Sequence, residues 1–237
     1  MINMGIEDDI RCDVKNALVQ KLDVRDGTVV PEVENVGLNQ GVKLNVTMLY
    51  ADLADSTDIA SHDRAMAAKL IKAFLSTSAR LIRHNGGYVR SFDGDRVMGV
   101  FIGDYKNSSA VQCAMNIDWA VFKVIKPAFE EAYEVFRNGT FPLYQCVGVD
   151  TGEHLVVRAG IRNNNDLTWI GRAANIAAKL STIRNFPNNV QITQRVFNVM
   201  DEKLKYSNGQ PIWYYYGDNT NLNTVTFTKF YRQPSLS

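Results

Sequence analysis

The sequence predicts an α+β protein in which helices cover a mostly antiparallel sheet. Short apolar runs suited to buried strands (Val46 to Ala51, Val97 to Phe101, Tyr144 to Val149) alternate with stretches long enough for extended helices. Asp93-Gly94 lies between two strand-like runs and readily supplies the positive φ angles of a tight hairpin turn. An alanine-rich segment from Arg172 to Ile183 adds a further helix.

In chain order, Ile6, Ile10, Val14, Leu18 and Leu22 recur at four-residue spacing and predict an amphipathic helix. A Gly/Pro/Asn-containing stretch then runs to Gly41, so residues 1–42 read as a helix and linker and residues 43–237 as the main domain. The helix serves either as a dimer or regulatory contact or as packing on its own domain. After the Val46 to Ala51 strand, Ser56, Thr57 and Asp58 offer N-cap chemistry for a helix reaching about Arg83, which Gly86-Gly87 ends. Tyr88 to Phe92 and Val97 to Phe101 form the hairpin around Asp93-Gly94-Asp95-Arg96. A second long helix spans about Ser108 to Phe136, and Tyr144 to Val149 is a strand entering a Thr-Gly turn. Asn163 to Asp166 is another turn, and strand-like runs at Trp213 to Tyr216 and Thr224 to Tyr231 close the chain.

With 237 residues and 46% apolar content the chain can bury one good core. Its net charge of +1 gives no global reason to expect nucleic acid or an anionic membrane as partner, so any phosphate binding is local. Cys12, Cys113 and Cys146 lack CxxC spacing and read as free thiols of a reducing cytoplasm. Neither a leader peptide nor a long apolar span is legible, so a soluble intracellular protein is expected. His62, His84 and His154 stand isolated and read as surface or hydrogen-bonded histidines.

The chemistry concentrates at Asp52 and Asp95, each following an apolar run and opening onto a turn. Paired carboxylates at neighbouring strand ends suit two hard divalent ions, with substrate phosphates completing the coordination shell. The loop Leu53 to Thr57 leads into a helix N-terminus, where free amides and the helix dipole favour phosphate. Asn175 and Lys179 add an amide and a cation at i and i+4 of one helix.

Tyr50-x-Asp52-Leu53-x-x-Ser56-Thr57, Gly94-Asp95-x-x-Met98-x-x-Phe101, Gly148-x-x-Thr151-Gly152-Glu153 and Gly171-x-x-x-Asn175-x-Ala177-x-Lys179-Leu180 occur in one order. Together they resemble the class III adenylate/guanylate cyclase catalytic domain over about Val46 to Ile183. Diguanylate cyclases share a related palm-like core, but no acidic pair follows Gly86-Gly87. The resemblance implies a class III fold, ferredoxin-like or palm-like, with residues 43–237 as catalytic domain. It implies a homodimer with shared sites, in which Asp52, its neighbour Leu53 and Asp95 bind two Mg2+ or Mn2+ ions. Asn175 of the other protomer orients the ribose and Lys179 stabilises charge on phosphorus, while Ser56, Thr57 and Lys229 serve the phosphates.

The departures carry information. Lys179 stands where the family has arginine, replacing a planar fork by a point charge. Asp55 stands where a glycine is usual. At the base-selecting positions the chain has Ser91 and Thr168, which match neither the adenine-reading nor the guanine-reading pair. Tyr50 adds a phenol near the base pocket. In this respect the chain resembles the pyrimidine cyclases of bacterial Pycsar antiphage defence. That resemblance implies UTP or CTP as substrate, UTP preferred, and a downstream effector that responds to the cyclic product. An adenylate cyclase with atypical base recognition and a non-catalytic nucleotide-binding dimer module are the alternatives.

Overall fold

The computed structural model describes residues 5–161, 163–216 and 225–228. The chain forms two compact units, residues 1–44 with 155–170, and residues 45–154 with 171–237.

In the first unit, α1 (Ile6–Val19) carries the expected apolar stripe but buries none of its residues. Ile6 is 76% and Leu18 82% exposed, so packing against its own unit does not account for the stripe. β1 (Asp23–Asp26) runs parallel to the start of β2 (Gln40–Leu53), from Asp23↔Gln40 to Asp26↔Lys43. The outer part of β5 (Gln145–Ile161) pairs antiparallel with β6 (Asn164–Ile170), from Leu155↔Ile170 to Ile161↔Asn164. The sequence reading placed only a turn here, at Asn163 to Asp166. Burial alternates along β6, with Leu167 buried between exposed Asp166 and Thr168, but Asn164, Asn165 and Asp166 put polar residues on both faces, so the alternation of apolar and polar residues is too short to mark the strand.

The second unit is built on a sheet in the order β10-β11-β7-β5-β2-β4-β3, where β3 is Tyr88–Asp93, β4 Arg96–Phe101, β7 Val190–Thr193, β10 Tyr214–Tyr216 and β11 Val225–Thr228. Its pairings are largely antiparallel as expected, with β5 and β7 parallel at Val147↔Val190. One face packs on α3 (Arg64–His84) and α4 (Lys106–Ala120). Met66, Leu70, Phe74, Leu81 and Ile82 of α3 recur at helical spacing and meet Leu49, Ala51, Val97 and Phe101 of the sheet. Burying a side chain the size of Phe74 or Leu70 contributes about 1.5–3 kcal/mol.

The helices depart from the sequence reading in ways that have local causes. The expected Ser56 to Arg83 helix is two helices, α2 (Ser56–His62) and α3, because Asp63 turns extended and caps the second. Its carboxylate accepts from the amides of Ala65 at 2.8 Å and Met66 at 3.0 Å, satisfying donors that a helix start leaves open. Asn85, Gly86 and Gly87 close α3, with Gly86 N–H donating to Arg83 O and Gly87 N–H to Ile82 O. The expected Ser108 to Phe136 helix passes through a π-helical turn at Val121–Ile125 before Pro127, which lacks an amide to donate. It then runs through α5 (Lys126–Ala132) and breaks at extended Tyr133 before α6 (Glu134–Arg137). Residues 190–211 also hold β7, α8 (Gln194–Val199), and a short hairpin of β8 (Tyr206–Ser207) and β9 (Gln210–Pro211), none of which the sequence reading assigned. Among the described residues no helix is long and apolar enough to cross a membrane.

On the other side of the sheet lies α7 (Arg172–Leu180), ending before the expected Ile183. A Cβ added at Gly148 of β5 would stand 2.1 Å from the Ala177 carbonyl oxygen, so only glycine lets helix and strand approach this closely. Gly148→Ala is therefore expected to cost about 1–3 kcal/mol by overpacking. Urea denaturation of the parent and the variant measures it, and equal midpoints would refute the close approach.

Candidate functional site

Asp52 occupies the last paired position of β2, opposite Arg96 of β4, and Arg96 in turn lies opposite Asp93 of β3. Two residues earlier Tyr50 pairs with Met98, which pairs with Ser91. Directly opposed residues of a sheet share a face, so Tyr50, Asp52, Arg96, Met98, Ser91 and Asp93 form one surface. Leu49, Ala51 and Val97 alternate onto the opposite, core-packed face. The Tyr50 hydroxyl donates to Met98 Sδ at 3.0 Å. Burial raises the Tyr50 phenol above its ordinary value, with Arg96 opposing and Asp93 reinforcing, so it stays protonated.

Asp95 sits in the turn Gly94-Asp95 that joins β3 to β4, close enough to act on Asp52. The Asp52 carboxyl is pushed above its ordinary value, first by burial, which its hydrogen bond to Arg184 opposes and the Asp95 charge reinforces. Among the described residues no group of three or more His, Cys, Asp or Glu side chains could hold a metal alone. A mutually repelling carboxylate pair too small to complete an octahedron nevertheless fits a hard divalent ion that keeps water and substrate phosphates as ligands. Leu53, one residue past Asp52, buries its side chain in the core, so its backbone carbonyl is the group it could offer a metal.

Two arginines complete the surface, and the sequence reading assigned neither to the site. Arg96 donates to Asp93 Oδ2 at 3.0 Å, and its guanidinium carbon lies 5.8 Å from the centre of the Tyr50 ring. Its Nε is buried without a hydrogen-bond partner. Arg184 donates through Nη2 to Asp52 Oδ2 at 2.9 Å and through Nη1 to the Ser181 carbonyl at 2.8 Å. Its loop is tied down on several sides. The Ile183 carbonyl accepts from Gln191 Nε2 at 2.8 Å and from Cys146 Sγ at 3.1 Å. Phe186 stacks on Tyr144 with ring centroids 4.2 Å apart. The Tyr144 carbonyl accepts from the Ala54 amide at 2.9 Å, two residues after Asp52. The thiols of Cys113 and Cys146 are buried and free, as expected, and Cys12 is exposed.

The remaining expected residues fall in different places. Ser56 and Thr57 begin α2, immediately after Asp55, which has φ 56°. That left-handed conformation suits the glycine usual there, and aspartate is one of the side chains that tolerates it. Asn175 and Lys179 lie on the exposed face of α7, while Ala173, Ile176, Ala177 and Leu180 face inward. Thr168 lies in the first unit, exposed on β6 opposite Val157. Lys229 lies outside the described residues.

His154 holds the start of α7. It is buried, and its Nε2 accepts from the Ala174 amide at 3.2 Å while Nδ1 contacts the Gly152 carbonyl at 3.3 Å. An amide on one side and a carbonyl on the other select the neutral tautomer with hydrogen on Nδ1. A Cβ at Gly171 would stand 2.4 Å from the ring, so glycine at the head of α7 makes room for the histidine. Burial holds the His154 pKa below its ordinary 6.5, against the pull of the Gly152 carbonyl and Asp150.

The "Adenylate and Guanylate cyclase catalytic domain" family matches residues 39–221. The chain is 43% identical over 214 residues to a "Uridylate cyclase" of Rhodovulum sp. (strain MB263), covering 89% of each chain. It is 40% identical to a "Uridylate cyclase" of Burkholderia cepacia, covering 89% of this chain and 91% of that one. The solved structure of a bacterial light-regulated adenylyl cyclase superposes with a TM-score of 0.65 at 19% identity, covering 78% of this chain and 90% of the other. That structure bears out the expected fold.

The depressed His154 pKa has a consequence for stability. Between the folded value and 6.5 the unfolded chain binds more protons, so stability rises with pH through that window and is complete above 6.5. Acidification below 6.5 is expected to destabilise the parent more than His154→Gln, whose side chain does not titrate. Urea midpoints across that pH range test this, and parallel curves for the two proteins would refute it.

Proposed function

This chain belongs to the adenylate and guanylate cyclase catalytic domain family, and from that premise we propose that it is a pyrimidine nucleotide cyclase converting UTP to 3′,5′-cyclic UMP and pyrophosphate. Domains of this family act on nucleoside triphosphates with divalent metal ions, and some are dimeric. The observation that carries the choice of base is the Arg96 guanidinium beside Tyr50, with a buried Nε that has no partner. A guanidinium only donates hydrogen bonds. Uracil and cytosine share the O2 acceptor and differ at position 4, where uracil offers an acceptor and cytosine an amino donor, so Arg96 set against position 4 favours UTP over CTP. Ser91 and the Tyr50 hydroxyl flank the same position across Met98.

Asp52, Asp95 and the Leu53 carbonyl hold two divalent ions, magnesium or manganese. Ions bound there supply Lewis-acid stabilisation of the attacking oxygen and of charge on the triphosphate. The amides at Ser56 and Thr57, with Lys229, receive the outer phosphates. Asn175 orients the ribose so that its 3′-hydroxyl lies in line with the α-phosphorus, and Lys179 stabilises the charge that develops there as pyrophosphate leaves. Exposure of Asn175 and Lys179 on α7 supports a homodimer in which the partner protomer supplies them. Thr168 is a second base-selecting residue. The chain is a cytoplasmic synthase of a second messenger in antiphage defence, read by a cyclic-nucleotide-responsive effector, and it engages neither nucleic acid nor membrane.

Purified protein incubated separately with ATP, GTP, CTP and UTP is expected to yield cyclic UMP as the main product by mass analysis; a cyclic purine product would overturn the reading. Arg96→Met is expected to lower kcat/KM for UTP by about tenfold or more and to narrow the UTP/CTP ratio. An unchanged ratio would remove Arg96 from base selection. Mixing Asp52→Ala with Asn175→Ala protomers is expected to restore one site per mixed dimer. Confirmed mixed dimers without activity would exclude shared sites.

A further inference from the structure

We propose that Arg184 and a divalent cation are alternative partners of Asp52, and that Arg184, on yielding the carboxylate, becomes a ligand of the nucleotide's polyphosphate. This rests on Asp52 being a metal-binding carboxylate. Arg184 Nη2 lies 2.9 Å from Asp52 Oδ2, one of the two carboxylate oxygens that Asp52 offers a cation. Two cations on one carboxylate repel, so the guanidinium gives way as the charge beside Asp52 increases. Few other groups could take its place, because the Asp52 side chain is only 12% exposed.

The guanidinium has somewhere to go. Its base stays anchored through the Ile183 carbonyl, held by Gln191 and Cys146, and through Phe186 stacked on Tyr144. Side-chain rotation, without movement of the loop, can therefore carry the charge away from Asp52. Of its five donors, the structure engages Nη2 with Asp52 and Nη1 with Ser181, and the Cys146 thiol lies against the guanidinium as a further partner that it gives up on leaving. A planar fork released beside a metal-bound triphosphate matches a phosphate in two-point geometry. The chain has lysine at position 179, a point charge, so Arg184 would supply the guanidinium that Lys179 lacks.

Mn2+ titration without nucleotide, followed by electron paramagnetic resonance, reads the first half. Arg184→Met is expected to bind Mn2+ about tenfold more tightly than the parent, since a competing charge has been removed. Affinity for inorganic triphosphate at saturating Mn2+ reads the second half. It is expected to fall about tenfold in Arg184→Met and to recover partly in Arg184→Lys, which restores charge without the fork. Unchanged Mn2+ affinity, or unchanged triphosphate affinity, overturns the proposal. Should Arg184→Met fail to fold, Arg184→Lys decides: weaker triphosphate binding upholds the role of the fork, and parental affinity sinks it. Asp52→Asn is the control that separates this from the parent reading, because it should abolish Mn2+ binding if Asp52 holds metal. No base or cyclisation step enters either titration, so failure of the pyrimidine assignment would leave both results standing.

Discussion

A carboxylate at the end of a buried strand must be answered by positive charge, and that constraint organises the site. Asp52 loses most of its hydration where β2 ends, and Asp95 across the hairpin adds repulsion. Either effect alone would push the group toward its neutral form. The chain counters them with Arg184, brought from 132 residues away. Holding that guanidinium in place occupies a further set of contacts, from Cys146 and Gln191 to the stacked Phe186 and Tyr144. A surface ion pair would contribute little and need no such framing. This one is partly buried, so removal of either charge leaves the other poorly solvated.

The second organising contact is the seat of α7. Gly148 allows the helix against β5, and His154 caps its start from beneath Gly171. Both contacts act on the buried side of the helix. They therefore set the direction in which Asn175 and Lys179 point without touching either side chain, and both residues are left exposed. The base-facing surface is ordered by another means. Strand register alone aligns Tyr50, Met98 and Ser91 in one row and Asp52, Arg96 and Asp93 in the next. A slip of one residue in β2 would turn Tyr50 and Asp52 into the core.

Legibility in the sequence followed how local each determinant is. The hairpin at Asp93 to Arg96 was visible because turn chemistry and strand alternation coincide there. The helix boundary at Asp63 was harder to see, since an aspartate inside a helical pattern looks like any polar position until its carboxylate caps the next turn. β1 and β7 were missed because four-residue strands carry too little periodic signal, and β6 because its first three residues are polar on both faces. Arg96 was hidden in plain view: it follows Asp95 directly, and strand alternation places it opposite Asp52 once the register is known. Arg184 had no signal at all in its own neighbourhood.

By itself, then, the sequence determined an α+β chain with helices on a mostly antiparallel sheet. It also determined two carboxylates at neighbouring strand ends, because turn residues and apolar periodicity act over a few positions and are written locally. Only the tertiary structure decided which cations meet those carboxylates, that His154 is neutral beneath α7, and that Arg96 lies beside Tyr50. These depend on the energy of charges and rings brought together across long chain separations. Such contacts leave no periodic trace in the residues that make them.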